Sequence, residues 1–360
     1  MTSHSERLLL AVLLLAAAPA LATPITSLDT AYGECTGTDQ SYTASGVGSF
    51  DSGKTYEMNF EQGSGTDDNL LVNGFSTSSA SFWNVSQAGT FGLRRNTSGT
   101  SNTLVWYEEV DNTDDDGDGN EDLYLRPSRV TSMEQALNCR TITRGTDNVF
   151  GNTGDGSGNN NNIERIDYLF TNGITATSSA VLNGSGFLVL ERGGNDDFQI
   201  AAVTSLDSNT TEPDAYNTPV SYDNADGVWG DSTIDVDSIV FRAQNTTDDL
   251  NPSADIGAQD MDGIFVSLAD LGMSVNDTIY GYSLFASDVT YDKTADLVNW
   301  KDSTHYPTTT SSSSNANGLD LIAGGTYWTS VPEPASVLLF GLGLTGLAGV
   351  GGRRKRHKSE

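Results

Sequence analysis

Short apolar runs bounded by turn-forming residues are the feature that most restricts what this chain can fold into. They are rich in β-branched and aromatic residues, as in 103–107 (TLVWY), 186–191 (GFLVLE) and 278–285 (TIYGYSLF). Such runs are typical of strands separated by turns. Only 132–138 and 267–273 show a helical apolar period, each over at most about two turns. The pattern predicts an all-β fold: an antiparallel β-sandwich or jelly-roll-like body with very little helix.

Two low-complexity segments divide this body. Residues 151–162 (GNTGDGSGNNNN) contain no apolar residue, which predicts a long loop or a linker. If they form a linker, residues 23–150 and 163–305 are separate β-rich lobes, and the alternative is one large β domain. Residues 306–330 combine a Ser/Thr-rich linker with the last strand segments. Residues 191–197 join two strand candidates and are predicted to form a hairpin turn.

Residues 1–22 have the parts of a secretory signal peptide. A polar start is followed by an apolar run over 8–18 and by the small-x-small triplet that ends at Ala22, which signal peptidase recognises. The apolar run is too short to cross a bilayer as a mature helix. We therefore expect cleavage before Thr23 and export of the body, the alternative being a retained N-terminal anchor.

The exported body is strongly acidic. The chain has 48 acidic and 18 basic residues and a formal net charge of −30. Glu6, Glu360 and six of the basic residues lie in the two ends, so residues 23–352 hold 46 acidic and 12 basic residues, a net charge of −34. Such a charge repels nucleic acid and anionic lipid and attracts divalent cations. Nucleic-acid binding is excluded on this ground.

The chain has two cysteines, Cys35 and Cys139, both in the exported part. An even number of cysteines in an oxidising compartment predicts one disulfide between them. The alternative is two separate buried thiols, because the sequence alone does not place the two within bonding distance.

The C-terminal segment has three consecutive parts, beginning with Val331–Pro334 (VPEP). Residues 335–352 carry no charge and as a helix would reach about 27 Å, close to a hydrocarbon thickness of about 30 Å. This predicts a single transmembrane helix, although six glycines make it weak as a permanent anchor. The cations that follow keep the end of the tail on the cytoplasmic side. These membrane-orienting residues are Arg353, Arg354, Lys355 and Arg356.

This order of motif, Leu- and Gly-rich span and basic cluster resembles the PEP-CTERM sorting domain of bacterial exosortase substrates, over residues 331–356. The resemblance implies that an exosortase, a membrane cysteine transpeptidase-like enzyme, recognises the motif and removes the tail. It also implies delivery to the cell surface or exopolysaccharide matrix of a Gram-negative bacterium, after a transient tether through 335–352. The expected partners are signal peptidase, exosortase and exopolysaccharide. The sorting motif consists of Val331, Pro332, Glu333 and Pro334.

Residues 111–122 (DNTDDDGDGNED) are the clearest candidate for a metal site. Carboxylates recur at alternate positions with a glycine that allows a sharp turn, a spacing similar to the calcium loops of dockerins and thrombospondin type 3 repeats. Leu125 replaces the usual last acidic ligand, so we expect weak binding, sufficient at about millimolar calcium. The alternative is a solvated acidic loop. The candidate Ca²⁺ ligands are Asp114, Asp116, Asp118, Asn120 and Asp122.

Signals for catalysis are few. His305 is the only histidine of the exported body, and neither Gly-x-Ser-x-Gly nor His-Glu-x-x-His occurs. We predict a non-catalytic surface or extracellular-matrix (biofilm) protein, with calcium as the expected cofactor. The alternative is a calcium-dependent carbohydrate-binding adhesin. A secreted glycosidase that uses a pair of carboxylates is a third class.

Overall fold

The computed structural model describes eleven segments of the chain. They are residues 22–33, 41–44, 56–60, 69–96, 103–111, 121–126, 129–130, 132–152, 162–243, 251–310 and 318–330.

Strands make up most of the described residues. The first nine are β1 (Thr23–Gly33), β2 (Ser41–Ala44), β3 (Tyr56–Phe60), β4 (Asn69–Thr77), β5 (Ser81–Gln87), β6 (Thr90–Arg95), β7 (Thr103–Asp111), β8 (Glu121–Arg126) and β9 (Arg144–Thr146). The others are β10 (Ile163–Thr175), β11 (Ser185–Arg192), β12 (Phe198–Leu206), β13 (Pro213–Tyr216), β14 (Val220–Tyr222), β15 (Gly230–Ala243), β16 (Asn251–Ser267), β17 (Thr278–Ala286), β18 (Leu321–Ile322) and β19 (Thr326–Ser330). The α-helices are α1 (Met133–Leu137) and α2 (Ser179–Gly184), and 3-10 turns span Asn224–Asp226 and Thr294–Val298.

The strands form two sheets, and their pairing is antiparallel apart from the parallel pair β3–β8. The larger sheet closes on itself twice. One ring runs β15–β16–β11–β18–β9–β7 and returns to β15. A second ring runs β1–β4–β5–β19–β11–β16 and returns to β1. The smaller sheet has the order β13–β12–β17–β10–β6, with β14 beside β12. The prediction of a mostly antiparallel β fold with little helix is confirmed.

The segments on the two sides of residues 151–162 share these sheets. In the smaller sheet β6 pairs with β10, and in the larger sheet β7 pairs with β15 and β1 with β16. Residues 23–150 and 163–305 therefore do not form a sheet each.

Two hydrophobic cores arise because successive residues of a strand point to opposite faces. In β11, Phe187 and Val189 enter the core that joins the two sheets, whereas Leu188 and Leu190 enter a second core. The rings of Phe187 and of Tyr282, in the smaller sheet, have centroids 4.4 Å apart. The strand residues of the second core all come from the two rings of the larger sheet. The near-continuous apolar sequence of β11 is explained by burial on both faces.

The predicted hairpin turn over 191–197 is wrong. The strands on its two sides, β11 and β12, belong to different sheets. Gly193 and Gly194 adopt φ values of 101° and 57°, which turn the chain away from the larger sheet. The Gly193 amide donates to the Asp260 carbonyl at 2.8 Å, so the crossing segment is attached to β16.

The helical elements only partly follow the sequence pattern. Helix α1 lies inside the predicted 132–138, and its N-cap hydroxyl, that of Ser132, accepts from the Gln135 amide. At 267–273 the chain instead makes a turn after β16, which ends where Gly272 takes a φ of 73°. Within the described ranges, no helix has the length and apolar character needed to cross a bilayer. The transmembrane helix predicted over 335–352 lies outside the described residues.

Candidate functional site

The strand that leads into the C-terminal tail is buried in the larger sheet. β19 pairs with β5 on one edge and with β11 on the other. Trp328 is 2% exposed, and its ring meets that of Phe75 edge-on with centroids 5.3 Å apart. The strand ends at Ser330, one residue before the predicted sorting motif. The tail is thus attached to an ordered strand of the body rather than to a surface loop.

The turn before β19 is hydrogen-bonded to both sheets, through Tyr282 of the smaller sheet and Gln87 of the larger sheet. The Gly325 amide donates to the Tyr282 hydroxyl at 2.9 Å, and the Gln87 side-chain amide donates to the Gly324 carbonyl at 2.9 Å. Gly325 has a φ of 79°, and a side chain at Gly324 would overlap the Tyr168 ring. These contacts fix the direction in which β19 runs toward the tail.

The sorting and membrane-orienting residues predicted from the sequence, Val331 to Pro334 and Arg353 to Arg356, lie outside the described residues. The same holds for four of the five candidate calcium ligands, Asp114, Asp116, Asp118 and Asn120. The fifth, Asp122, lies in β8, and only its backbone is described. The Asp-rich segment connects β7 to β8, and these strands pair antiparallel, with Asp111 opposite Tyr124.

A described acidic group lies near the start of this segment. Ligand atoms of Glu109, Asp237 and Asp255 lie within 4.8 Å of one another. They come from the neighbouring strands β7, β15 and β16, and two of the three are exposed. Carboxylate oxygens in this arrangement suit a hard cation such as Ca²⁺. Exposed acidic groups are common without a bound ion, so the geometry shows only that these three carboxylates are close enough to ligate one cation.

A second group contains the histidine noted in the sequence. Ligand atoms of Asp292, Asp296 and His305 lie within 4.8 Å of one another. The Asp296 carboxylate, however, already accepts from the amides of Asp292 and Lys293 at 3.1 and 3.0 Å. The Lys293 ammonium nitrogen lies 3.8 Å from it as well. These contacts stabilise a local turn, and the nearby positive charge disfavours a metal.

The predicted disulfide has one described partner. Cys139 follows α1, is 9% exposed and is disulfide-bonded. Cys35 lies outside the described residues, so the Cys35–Cys139 pairing stays a prediction.

A buried ion network crosses the smaller sheet. Arg165 donates to the Asp167 carboxylate at 2.8 Å, and Arg94 in β6 donates to its other oxygen. The Ser283 hydroxyl donates to the same carboxylate at 2.6 Å. Burial alone would raise the pKa of Asp167, but Arg165, Arg94 and Ser283 hold it below its ordinary value. Arg165 also stacks on Trp300, with its guanidinium carbon 5.1 Å from the ring centroid.

A second buried ion network, centred on Arg192, lies where the chain passes from the larger to the smaller sheet. Arg192 donates to Ser238 at 2.7 Å, to Asp147 at 3.1 Å and to Asp320 at 2.6 Å. Its guanidinium lies over the Trp106 ring, 5.2 Å from the centroid. Burial raises the pKa of Asp320 to about 7, and the charge of Arg192 only partly opposes this. Arg192 thus contacts the carboxylates of both Asp147 and Asp320.

The neighbouring carboxyls Glu191 and Asp196 face each other in this network. Glu191 is 0% exposed, and burial together with the charges of Asp320 and Asp196 raises its pKa well above the ordinary range. Burial also raises the pKa of Asp196 to about 6. Two carboxyls in contact cannot both ionise easily, so one proton is shared between them near neutral pH. Because neither side chain is open to solvent, the pair stabilises the crossing and offers no surface to a substrate.

Neither ion network was predicted from the sequence. The only available signal was charge inside an apolar strand pattern, as at Glu164, Arg165 and Asp167 in IERIDYLF. Such residues are seldom buried unless they are paired. Arg94, which donates to Asp167, lies 73 positions before it in the chain, and no local sequence pattern connects these two residues.

The comparisons with known proteins support the sorting motif predicted in the tail. Residues 330–356 match the family model of the PEP-CTERM protein-sorting motif. No curated protein and no solved structure gave a significant match to the chain. The matched segment begins at Ser330, the last residue of β19.

The matched motif supports exosortase-dependent sorting of a surface protein, since it implies processing by that enzyme. More narrowly, the chain is a PEP-CTERM sorting domain-containing protein.

Proposed function

We propose that the chain is a non-catalytic protein of the cell surface or exopolysaccharide matrix of a Gram-negative bacterium, tethered by a C-terminal helix until an exosortase removes the tail. The observation that carries this proposal is the sorting motif matched at residues 330–356, directly behind β19. The body, whose two sheets share a core as in a β-sandwich, is the cargo that the tail delivers.

The junction between body and tail supports recognition by an enzyme. Pro332 and Pro334 have no amide hydrogen, so this part of the chain cannot continue the hydrogen-bond ladder of β19. Both prolines also disfavour a helix that would extend the apolar segment toward the body. We therefore expect the motif to be separate from both the sheet and the apolar segment.

A structural role for the body is supported by the positions of two of its perturbed acids. Asp167 and Glu191 are both 0% exposed. Asp167 accepts from the Arg165 side chain, and Glu191 accepts from the Asn195 backbone amide. A general acid or base has to reach its substrate directly or through one water molecule. Carboxyls enclosed in this way stabilise the fold and are poorly placed for glycoside hydrolysis.

Sorting is tested by changing one residue of the motif. We expect Glu333→Ala to stay in the membrane fraction with its tail intact in an exosortase-containing host. The matched control is Glu360→Ala, which removes an acidic residue of the same tail outside the motif and should leave processing unchanged. Normal surface release of Glu333→Ala would refute exosortase sorting through this motif.

We propose further that calcium binds the Asp-rich segment between β7 and β8. The segment is closed by paired strands at both ends, so a cation held there would also fix the strand pair. In isothermal titration calorimetry at millimolar calcium, the native protein should release or absorb heat that Asp116→Asn/Asp118→Asn lacks. The control Asp223→Asn/Asp226→Asn changes a described acidic turn and should retain the signal. Absence of heat in the native protein would remove the site.

A further inference from the structure

The tail is too short to let the body turn freely at a membrane. Four residues, 331–334, separate Ser330 from the start of the apolar segment, and fully extended they reach at most about 14 Å. A compact domain of this size has a radius of gyration of about 20 Å. While the tail is attached, the end of the fold that carries Ser330 must therefore face the membrane.

Several elements end at this place, which we call the tail pole. Strand pairing places Ser330 opposite Phe82, and Thr329 opposite both Trp83 and Ser185. The start of β1 is there too, since Thr23 pairs with Phe265 near the end of β16. The tail pole consists of residues 23–25, 76–83, 175–185, 267–278 and 328–330.

The tail pole is nearly free of charge, in contrast to the rest of the body. Three segments that contribute to it, 69–93, 168–190 and 321–330, contain no Asp, Glu, Lys or Arg. The only acids within the tail pole are Asp270 and Asp277. Each accepts a backbone hydrogen bond of its own turn, from Ser267 and Ser274 at 2.8 Å.

Apolar side chains are exposed on the same pole or next to it. Trp83 is 49% exposed, and Val85, two residues further along β5, is 55% exposed. Val275, in the turn between β16 and β17, is 39% exposed. Trp83 lies one strand position from the level of Ser330, because its partner is Thr329. An indole with one apolar and one polar edge is suited to the interface between lipid and water.

We propose that the tail pole rests on the lipid surface of the membrane while the tail is attached, with Trp83 in the headgroup layer. This inference rests on the proposed function, because it requires residues 335–352 to be in the bilayer. A body with a net charge of −34 is repelled by anionic lipid, and the uncharged pole is the side that can approach it. Removal of the tail would then free the body from a contact too weak to persist alone.

The test uses residues 23–360, the chain without its signal peptide, in vesicles of phosphatidylcholine and phosphatidylglycerol that carry bromine high on their acyl chains. Bromine quenches tryptophan fluorescence only at short range, so quenching identifies lipid-facing indoles. We expect quenching in the native protein, its loss in Trp83→Phe, and its retention in the control Trp229→Phe. Trp229 is half-buried near Asp196, at the crossing between the sheets. Near-UV circular dichroism checks that both variants are folded.

A second pair of variants tests the role of charge. Ser78 lies in the exposed turn between β4 and β5, and Ser208 lies in an exposed turn after β12. Ser78→Asp should reduce quenching on anionic vesicles, whereas Ser208→Asp should not. Unchanged quenching in Trp83→Phe would overturn the inference, as would vesicle-bound native protein without quenching. Lowered exosortase processing of Ser78→Asp with unchanged quenching would also overturn it, by assigning the pole to the enzyme. Failure of the native chain to bind vesicles would refute the tether itself.

Discussion

The tail pole and the paired strands β15 and β16 are built from opposite kinds of side chain. The tail pole has uncharged cross-strand neighbours, and at its edge the rings of Phe75 and Phe82 stack with centroids 4.7 Å apart. In the β15–β16 pair, Asp231 lies opposite Asp262, and Asp235 opposite Asp260. Like charges placed directly opposite destabilise a sheet. The facing acids of the β15–β16 pair therefore lie outside the tail pole, and their repulsion costs stability.

The electrostatics of the two regions differ accordingly. Burial and the charges of Asp260 and Asp231 raise the pKa of Asp262 to about 6. Contact with the Asp235 carboxyl raises the pKa of Asp260. At the tail pole no such repulsion arises, because its strands carry hydroxyl, amide and apolar side chains. The acidic strand pair therefore favours solubility, whereas the nearly uncharged tail pole is the region suited to approach a membrane.

The largest expected effect is on the buried ion network. Asp167→Ala would leave Arg165 buried without its carboxylate, which should lower the free energy of unfolding by about 3–5 kcal/mol. Urea denaturation measures this, with the exposed Asp214→Ala as control. Equal urea midpoints for the two variants would show that the ion network around Asp167 does not stabilise the fold.

A somewhat smaller loss is expected at the aromatic end. Trp328→Ala empties part of the core beside Phe75 and should lower the free energy of unfolding by about 3 kcal/mol. The control Trp83→Ala removes the same side chain from the surface one strand away. If both variants unfolded at the same urea concentration, β19 would not be anchored as described.

The pH dependence of stability extends the comparison to buried acids outside the tail pole. The folded protein holds protons on Asp196, Asp320 and Glu164, whose pKa values are raised mainly by burial to about 6, 7 and 7. Between about pH 4 and pH 7 the folded state thus binds more protons than the unfolded state, so stability falls as pH rises. We expect a lower urea midpoint at pH 8 than at pH 5.

Glu191→Gln separates this effect from the general repulsion of an acidic body. Glutamine keeps an acceptor for the Asn195 amide but cannot ionise beside Asp196 and Asp320. The variant should have a higher midpoint than the native protein at pH 8 and a weaker dependence on pH. A native midpoint that stays level or rises from pH 5 to pH 8 would contradict the assignment.

The smallest effect is expected in the acidic strand pair. Asp231→Asn removes one charge opposite Asp262 and keeps the oxygen that accepts from the Thr233 amide at 2.6 Å. Stability should rise by roughly 0.2–0.5 kcal/mol at low salt. Because salt screens exposed charges, the gain should shrink in 1 M sodium chloride, at a Debye length of about 3 Å. A gain independent of salt would point to another cause.

The sequence predicted strands best where apolar residues are consecutive or alternate. The runs at 103–107, 186–191 and 278–285 all lie in strands, because burial on one or both faces leaves a local pattern. β16 was not predicted along its length, since its first half (NPSADIGAQD) is polar and is held by pairing with β15. Helix α2 was missed as well, because a single short turn has no recognisable period.

The candidate sites also differ in how far the sequence could predict them. The tail was predictable because motif, span and cations follow one another in the chain. The ion networks of Arg165 and Arg192 depend on contacts between distant strands, and the closure of the larger sheet into two rings depends on which edges meet. Neither the ion networks nor the ring closure produces a pattern in neighbouring residues of the chain. Both could be found only from the tertiary structure.

The central claim is that the tail is a sorting device removed next to a folded strand. Intact mass spectrometry of the protein released at the cell surface, in a host with an exosortase, tests this most directly. The predicted mature chain begins at Thr23, retains β19 up to Ser330 and lacks residues 335–360. A surface form whose mass still includes the apolar span and the basic residues after it would contradict the account.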